Sequence, residues 1–458
     1  MKQHGANISK ERPGRSFRFT CAEGEIPLVE ELLRAQGFDF EPEPFSPLCR
    51  RTRRAANQLL PLGSSLAAYF GLIYIQDRSS MLPPLALDPK PGAAVLDMCA
   101  SPGGKTGFLA QLAGPGGFVL ANELSPDRLE TLRRNLTRVN AATVATCGYQ
   151  GQRLPLDDGR FDYILCDAPC SGWGTAEKNP KALTVWREDK VAPLISLQRV
   201  LLAEAARLLA PGGRLLYSTC TTNPDENEEQ TRTLLDTTEL ALIPLTPPPG
   251  FSFLAPERPD LAGVLRVDGE ASQAQGFYLA AFAKPASPAR AEAEPATPAH
   301  DRDVPDHERS GPGHCGSARF PPDRSGSDPA GSELGSFDLP GFDLSGLPPG
   351  VTQRFDHRLF YLPGRAQNFL PRTLKFRGYQ LGAFSGGVFR VQARARLLLP
   401  DYSPDSGLSA DDPETLIRLI SGQSLETTLD LPRPGLYFKG LRLGFLTRKG
   451  PRLLWSDR

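Results

Sequence analysis

The chain has 458 residues, with 52 basic and 52 acidic side chains and a formal net charge of zero. That length is enough for two to three domains with sizeable cores. The chain has no membrane-length apolar run, its first ten residues lack a signal-peptide core, and its eight cysteines form no CxxC pair. We therefore expect a cytoplasmic protein without membrane contact, disulfide framework or metal site.

The first 90 residues precede the regular pattern that follows and are expected to form an extension of it. Residues 1–20 are polar and basic and are expected to be loose. Residues 26–36 carry apolar side chains at helical spacing and predict a short helix. A dense basic cluster follows, which is either a solvated face or a phosphate contact; it comprises Arg50, Arg51, Arg53 and Arg54.

From about residue 91 the pattern becomes an alternation of strands and helices. The predicted strands are residues 93–98, 117–122, 143–149, 161–166, 214–218 and 276–282, and the predicted helices include 105–112 and 194–209. Another helix begins after Ser125, which is placed as its cap, with Pro126 in the first turn. Strands that alternate with helices predict an α/β fold with a doubly wound, mostly parallel sheet.

The last third of the chain differs in composition. Residues 285–345 are rich in Pro, Ser, Gly and Asp and predict a flexible linker. Beyond them, strand-like segments return at 377–381, 387–399 and 437–446, with a helix predicted at 413–421. Residues 346–458 hold 17 Lys and Arg against 9 Asp and Glu, a balance of +8. This indicates a small, basic, β-rich domain.

Polar and thiol side chains follow two of the predicted strands. Asp167 and Cys170 follow the fourth strand, and Cys220 follows the fifth. Because ligands bind beyond the carboxyl ends of strands in an open α/β sheet, we expect these side chains to share a site. Reactive thiols occupy such partly exposed places, although a single cysteine is more often a small buried hydrophobe. No histidine lies between His4 and His300, which excludes a histidine-dependent hydrolase in this domain.

The first predicted strand is followed by a glycine-rich turn. Such turns let the backbone approach a ligand and direct amide groups at its anionic part. A Walker loop would require glycine five residues before Gly104, where Cys99 stands, so a nucleotide triphosphatase is excluded. Glu123 ends the second strand 19 residues after Gly104. Related folds place an acid there that binds a pair of ribose hydroxyls.

Four motifs stand in the order and spacing of a known family. They are DMCASPGGKT at 97–106, DAPCSGWGT at 167–175, YSTCTTNPDENE at 217–228 and GFYLAAF at 276–282. They resemble the motifs of the Nol/Nop/Sun family of RNA 5-methylcytosine methyltransferases, over roughly residues 74–282. YIQDRSSML at 74–82 and the basic tail further resemble the bacterial branch that modifies small-subunit ribosomal RNA. In that branch the tail includes a PUA-like RNA-binding module.

The resemblance implies a class I, Rossmann-like methyltransferase fold that uses S-adenosylmethionine. It divides the chain into an RNA-binding extension (1–90), a catalytic domain (91–284), a flexible linker (285–345) and a PUA-like RNA-binding domain (346–458). The implied partner is RNA, in particular 16S rRNA or the small ribosomal subunit, and the expected state is a monomer.

The resemblance also implies roles for individual residues. Cys220 would attack carbon 6 of cytosine, Cys170 would assist product release, and Asp167 would bind the base and support its protonation at nitrogen 3. This agrees with the residues themselves, since carbon 5 is not nucleophilic until a thiolate adds at carbon 6. The family usually has Asp where Gln150 stands, beside the adenine. S-adenosylmethionine would be held by Cys99, Ala100, Ser101, Pro102, Gly103, Gly104, Lys105, Glu123, Gln150 and Asp167.

Three alternatives stay open. In the first alternative, the RNA substrate would be tRNA rather than rRNA. In the second, DNA cytosine methylation would use Cys170 as nucleophile and leave Cys220 idle. In the third, a non-catalytic RNA-binding factor of ribosome assembly keeps the fold but needs neither thiol.

Overall fold

The computed structural model describes residues 14–53, 60–175, 188–286, 334–335, 344–371, 373–386, 388–398 and 407–456. Arg54 and nearly all of the predicted linker lie outside these residues, so the linker stays a prediction. Within the described ranges the strands form four sheets. No helix in these ranges combines the length and the apolarity that crossing a bilayer requires.

The described chain begins with a small antiparallel sheet in the order β2-β3-β1-β4. Its strands are β1 (Ser16–Phe19), β2 (Asp39–Pro42), β3 (Cys49–Arg53) and β4 (Ile73–Ile75), and the accompanying helices are α1 (Ile26–Ala35), α2 (Leu66–Tyr69) and α3 (Leu82–Leu87). The helix predicted at 26–36 is confirmed by α1. The expectation that residues 1–20 are loose is wrong for β1, all four residues of which are buried. The reason is that Phe17 and Phe19 enter the core, and Arg18 stacks over Phe108 with 4.6 Å to the ring centroid.

The central sheet carries the strand–helix alternation that the sequence predicts. Its strands are β5 (Ala94–Asp97), β6 (Phe118–Asn122), β7 (Val144–Cys147), β8 (Phe161–Asp167), β9 (Leu209–Thr219), β10 (Ala241–Ile243), β11 (Phe253–Leu254), β12 (Leu265–Val267) and β13 (Phe277–Ala283). Strands β7-β6-β5-β8-β9 pair in parallel, and β13 adds to β9 in the antiparallel sense. The predicted doubly wound α/β fold is therefore confirmed, with antiparallel strands at the β9 side of the parallel core.

Helices cover both faces of this sheet. They are α4 (Gly104–Ala113), α5 (Pro126–Arg138), α6 (Glu188–Leu208) and α7 (Glu228–Thr237). The stripe Leu129, Leu132 and Leu136 of α5 packs with Val95 of β5, whereas Leu202 of α6 lies in the core on the opposite face. Burying each such leucine contributes about 1.5–3 kcal/mol. Ser125 precedes α5 as predicted, but its side chain makes no capping hydrogen bond.

The C-terminal region is rich in β-strands, as predicted. Its elements are β14 (Leu334–Gly335), β15 (Gly350–Phe355), β16 (Arg358–Pro363), α8 (Gly364–Phe369), β17 (Phe376–Arg377), β18 (Tyr379–Ser385), β19 (Val388–Val391), α9 (Ala393–Arg396), β20 (Gly407–Ala410), α10 (Pro413–Ile420), β21 (Leu425–Glu426), β22 (Gly435–Phe438), β23 (Leu441–Lys449) and β24 (Arg452–Trp455). They form one sheet in the order β14-β15-β16-β18-β19 and another in the order β20-β22-β23-β24-β21. Strand β17 instead pairs with β7 and extends the central sheet.

Two predicted C-terminal strands differ from the structure. The strand predicted at 387–399 ends at Val391, because the alanine- and arginine-rich stretch that follows favours a helix and forms α9. The strand predicted at 437–446 is a hairpin of β22 and β23. The chain turns at Lys439 and Gly440, both with positive φ, which is the backbone of a tight hairpin turn.

The two ends of the described chain share one hydrophobic core. Phe17 and Leu66 from the N-terminal sheet region lie in the same cluster as Phe438 and Trp455 from the last sheet. The indole of Trp455 also donates a hydrogen bond of 3.0 Å to the hydroxyl of Tyr69. Segments almost 400 residues apart thus stabilise each other. The domain bounds at 90, 284 and 345 stay predictions.

Candidate active site

The site lies where the five parallel strands end. Their carboxyl ends meet at one edge of the sheet. From β5 the chain continues to β6, toward one end of the strand order, whereas from β8 it continues to β9, toward the other end. This reversal of winding between β5 and β8 opens a crevice, which is the usual ligand position in such sheets. Asp167 ends β8, and Cys220 directly follows β9.

The glycine turn after β5 leads into α4. Gly103 precedes the helix with φ +106°, a conformation that side chains other than glycine rarely adopt. A Cβ atom on Gly104 would lie 2.5 Å from the amide oxygen of Gln76 and 2.8 Å from the ring of Tyr74. The absence of side chains here therefore creates the close approach between the turn and β4.

A cavity of about 230 Å³ lies above this turn. Seven of the ten residues predicted to hold S-adenosylmethionine line it, namely Cys99, Ala100, Ser101, Pro102, Gly104, Lys105 and Asp167. Three others, Gly103, Glu123 and Gln150, are not part of this lining. Five further residues complete the cavity wall and were not among the predicted site residues, namely Tyr74, Ile75, Gln76, Ser80 and Asp97.

Two side chains of this cavity have buried polar atoms without partners in the described part of the chain. They are Oδ1 of Asp97 and both amide atoms of Gln76. Asp97 is 1% exposed, and burial raises its pKa to about 7 against the hydrogen bond from Thr106. Buried unpaired polar atoms are unfavourable, and a ligand with polar and cationic groups would pair with them. The methionyl part of S-adenosylmethionine has such groups, so the cavity chemistry fits this cofactor.

Asp167 is held between two donors. Its Oδ2 accepts a hydrogen bond of 2.8 Å from Nζ of Lys105, and its Oδ1 accepts one of 2.8 Å from the hydroxyl of Ser218. Burial by itself lowers the pKa of Lys105, but the carboxylate of Asp167 outweighs this and the pKa is raised. Lys105 therefore stays charged. Lys105 and Asp167 were predicted as site residues from the sequence. Ser218, which lies two residues before Cys220, was not.

The two cysteines of the strand ends meet, with 3.4 Å between the sulfur atoms of Cys170 and Cys220. The hydrogen bond from Cys170 lowers the pKa of Cys220, and the charge of Lys105 acts in the same direction. The same hydrogen bond, together with burial, raises the pKa of Cys170 well above its ordinary value. The site thus holds a thiolate-prone Cys220 beside a Cys170 that keeps its proton.

A buried carboxylate supports both cysteine loops. Glu226 is fully buried and accepts hydrogen bonds from the amide and hydroxyl of Ser171, at 2.9 and 2.5 Å. The Ser171 hydroxyl lies 2.7 Å from that of Thr221, the residue after Cys220. Gln198 donates to both Glu226 and the carbonyl of Pro169, at 3.0 and 2.9 Å. Sequence reasoning treated Glu226 only as part of a helix start, although it stands within the third motif.

Glu123 and Gln150 lie at the ends of the neighbouring strands. Glu123 is buried, and its Oε1 accepts a hydrogen bond of 2.9 Å from the amide of Ser125 while Oε2 lies 3.3 Å from Arg128. Gln150 is exposed beyond the end of β7. Asn122 links the loops, since its side chain donates to the carbonyls of Met98 and Tyr149. The cofactor contacts of Glu123 and Gln150 stay predictions.

The predicted basic cluster is largely occupied by internal ion pairs. Arg50 pairs with Glu30 at 2.8 Å, and Arg51 pairs with Glu41 at 2.7 Å. Arg53 also reaches Glu41, at 3.1 Å. These pairs favour the interpretation of a structural, solvated face for the three described arginines. Among the described residues, no group of three or more His, Cys, Asp or Glu is arranged to hold a metal ion.

This strand order, with a glycine turn after the first parallel strand and an acid after the second, is the Rossmann-like fold of S-adenosylmethionine-dependent methyltransferases. Comparison with known proteins narrows this class. The family model of the 16S rRNA methyltransferase RsmB/F matches residues 84–283. This match confirms the resemblance found in the motifs.

Individual relatives agree with the family. Ribosomal RNA small subunit methyltransferase F of Cronobacter sakazakii is 37% identical over 283 residues, which cover 60% of this chain and 57% of that protein. Its namesake in Salmonella heidelberg is 37% identical over 307 residues, covering 63% and 62%. A methyltransferase homolog of Pyrococcus horikoshii has a solved structure with TM-score 0.52 and 32% identity, covering 60% of this chain and 88% of that one. The chain spans less than two thirds of the length of these curated relatives.

Proposed function

We propose that this protein transfers a methyl group from S-adenosylmethionine to carbon 5 of a cytidine in small-subunit ribosomal RNA. The observation that supports this most directly is the pair of thiols 3.4 Å apart, beside a carboxylate, at the carboxyl ends of β8 and β9. A pyrimidine is not nucleophilic at carbon 5 until a thiolate has added at carbon 6. The names of the relatives identify the RNA substrate that we propose.

Cys220 is the proposed nucleophile. Its pKa is the lowered one of the pair, and the thiolate is the reactive form of cysteine. The sulfur forms a bond to carbon 6, and the electron pair of the 5,6 double bond makes carbon 5 nucleophilic. Asp167, fixed by Lys105 and Ser218, binds the base and supports the uptake of a proton from water at nitrogen 3, which is lost again when the double bond re-forms.

Cys170 is proposed to act in release. While Cys220 is anionic, its charge keeps the proton on Cys170. Once the Cys220 sulfur is bonded to carbon 6 that charge is gone, so Cys170 loses its proton to water more readily. When bound, S-adenosylmethionine would supply the methyl group to carbon 5 and leave as S-adenosylhomocysteine. Cys170 then removes the hydrogen from carbon 5, the bond between sulfur and carbon 6 breaks, and the double bond re-forms.

A gel assay tests these roles. Cys220→Ala and Cys170→Ala are incubated with cofactor and with transcripts of rRNA or tRNA, then separated under denaturing conditions. We expect Cys170→Ala to give a covalent protein–RNA band with rRNA, and Cys220→Ala to give none while it still binds RNA. Cys21→Ala is the matched control, since Cys21 is also a free, partly exposed thiol, and it should behave as the unaltered protein.

Each other outcome contradicts a specific part of the proposal. A band from Cys220→Ala and none from Cys170→Ala would assign the roles of DNA cytosine methylation. A band with tRNA alone would replace the substrate. Full methylation by both variants would return the two thiols to structural roles, and no methylation by the unaltered protein would favour a non-catalytic binding factor.

A further inference from the structure

A second concave surface lies away from the cysteine site, between α5 and the C-terminal strands. It has a volume of about 340 Å³. We call it the arginine groove, after the residues Arg133, Arg134, Arg138, Arg358, Arg377 and Arg394 in its lining. We propose that the arginine groove binds backbone phosphates of the RNA substrate. The proposal rests on the proposed function and adds the position of a substrate contact.

The charge of the groove is strongly one-sided. Among its described lining residues the six arginines face a single acid, Glu130. In the described part of the chain, the ion pairs include no carboxylate partner for Arg133, Arg358 or Arg377. Burial and then the charge of Arg377 lower the pKa of Arg133, which shows that two like charges are held near each other. Such an arrangement is unfavourable by itself and becomes favourable when an anion binds between the guanidinium groups.

The groove is built by two distant parts of the chain. Strand β17 pairs with β7 so that Arg377 lies opposite Thr146. The hydroxyl of Thr146 accepts a hydrogen bond of 2.9 Å from Nε of Arg133, which fixes that side chain toward β17. The amide of Lys375 adds a bond of 2.7 Å to the hydroxyl of Tyr149. The groove therefore forms only when the C-terminal region packs against the central sheet through the pairing of β17 with β7.

Its position suits a substrate that also reaches the thiols. Strand β7 is three strand spacings from β8 and four from β9, or about 14 and 19 Å across the sheet. A single RNA strand covers that distance in a few nucleotides. Arginine is also the side chain whose planar, five-donor guanidinium best matches phosphate oxygens. An acidic peptide shares only the charge, so the RNA backbone is the occupant that the surroundings favour.

The test compares two arginines that occupy equivalent positions. Arg358 of β16 and Arg390 of β19 are both exposed and both lie opposite Ala383 of β18, but only Arg358 lines the groove. The full chain binds a fluorescent small-subunit rRNA transcript over a series of salt concentrations. We expect the variant Arg133→Gln/Arg358→Gln/Arg377→Gln to bind about tenfold more weakly and to flatten the slope of log K against log salt by about 2. Arg390→Gln should match the unaltered protein.

The remaining outcomes separate the groove from the proposed function. If the triple variant unfolds, Arg358→Gln alone should still flatten the slope, by about 1, while Arg390→Gln does not. Equal slopes for Arg358→Gln and Arg390→Gln overturn the groove proposal. Polyglutamate serves as a probe for acidic peptides. If the triple variant loses binding of polyglutamate but keeps the RNA binding of the unaltered protein, the groove binds a protein partner and the RNA proposal is overturned. If the unaltered protein shows no salt-dependent RNA binding and Cys170→Ala forms no adduct, the proposed function has failed instead.

Discussion

Glu226→Gln changes a single atom of the network beneath the two thiols. The Glu226 carboxylate accepts four hydrogen bonds. Two come from Ser171, and one each comes from Gln198 and Asn223, at 3.0 and 3.2 Å. Each carboxylate oxygen serves two donors. A glutamine replaces one oxygen by an NH₂ group, which then faces donors instead of accepting from them.

The expected magnitude follows from this count. A hydrogen bond to a charged group contributes about 1.5–3 kcal/mol, so losing two gives about 3–6 kcal/mol. If the new NH₂ group replaces Oε2, the Ser171 hydroxyl can accept from it and donate to Thr221 instead. If it replaces Oε1, rotation of the Gln198 amide can present Oε1 of Gln198, which has no partner in the described chain, to the new donor. That rotation breaks the bond from Gln198 to the carbonyl of Pro169. The net destabilisation should therefore lie near the lower value, about 3 kcal/mol.

Hydrogen exchange measures this effect locally, since the amide of Ser171 itself donates to Glu226. A loss of about 3 kcal/mol corresponds to roughly 100-fold faster exchange where local opening exposes the amide. We expect this acceleration in peptides covering residues 168–175 and 217–228, together with loss of methylation. The control is Glu229→Gln in the first turn of α7, three residues further along the chain, whose exposed ion pair with Arg258 contributes at most about 1 kcal/mol. Equal exchange in both variants would refute the reasoning.

Two further predictions concern the cofactor cavity and its surroundings. Glu123→Ala should weaken binding of S-adenosylmethionine by about 1.5–3 kcal/mol if this carboxylate accepts from the ribose hydroxyls; calorimetry that finds unchanged affinity would contradict the role. Asp97→Asn should change the pH dependence of stability, because burial raises the pKa of Asp97 from 3.8 to about 7. The protonated form is favoured in the fold, so its stabilisation is complete below the unfolded pKa and is lost as pH rises through about 7. Between pH 4 and 7 the free energy of unfolding, measured by urea denaturation, should therefore fall less steeply with pH in Asp97→Asn than in the unaltered protein. The difference between the two slopes should be up to about 1.4 kcal/mol per pH unit. Parallel profiles would disprove the assignment.

The sequence by itself determined the alternation of strands and helices around the central sheet. The strands β5 to β9 and helices α4 and α5 lie within a few residues of their predicted bounds, apart from an earlier start of β9. This is possible because apolar periodicity and turn residues act over a few positions of the chain. The same local signals predicted that Cys170 and Cys220 share one edge, since parallel strands end together.

The tertiary structure alone decided which atoms pair at that edge. Lys105 and Ser218 take the two oxygens of Asp167, and Glu226 fixes the loops of both thiols. These partners come from separate elements, so their contact depends on how the elements pack. The exposed position of Gln150 is likewise a property of the fold rather than of its neighbours in sequence.

The longest-range contacts were beyond any local pattern. Residues 14–20 read as a polar, basic segment, yet Phe17 is buried in a core completed by Phe438 and Trp455. Strand β17, only two residues long, belongs to the central sheet because β7 offers it an open edge. A basic balance could be counted in the C-terminal sequence, but its placement beside α5 required the folded chain. Pairings between segments hundreds of residues apart depend on shape and burial, which no short stretch of sequence contains.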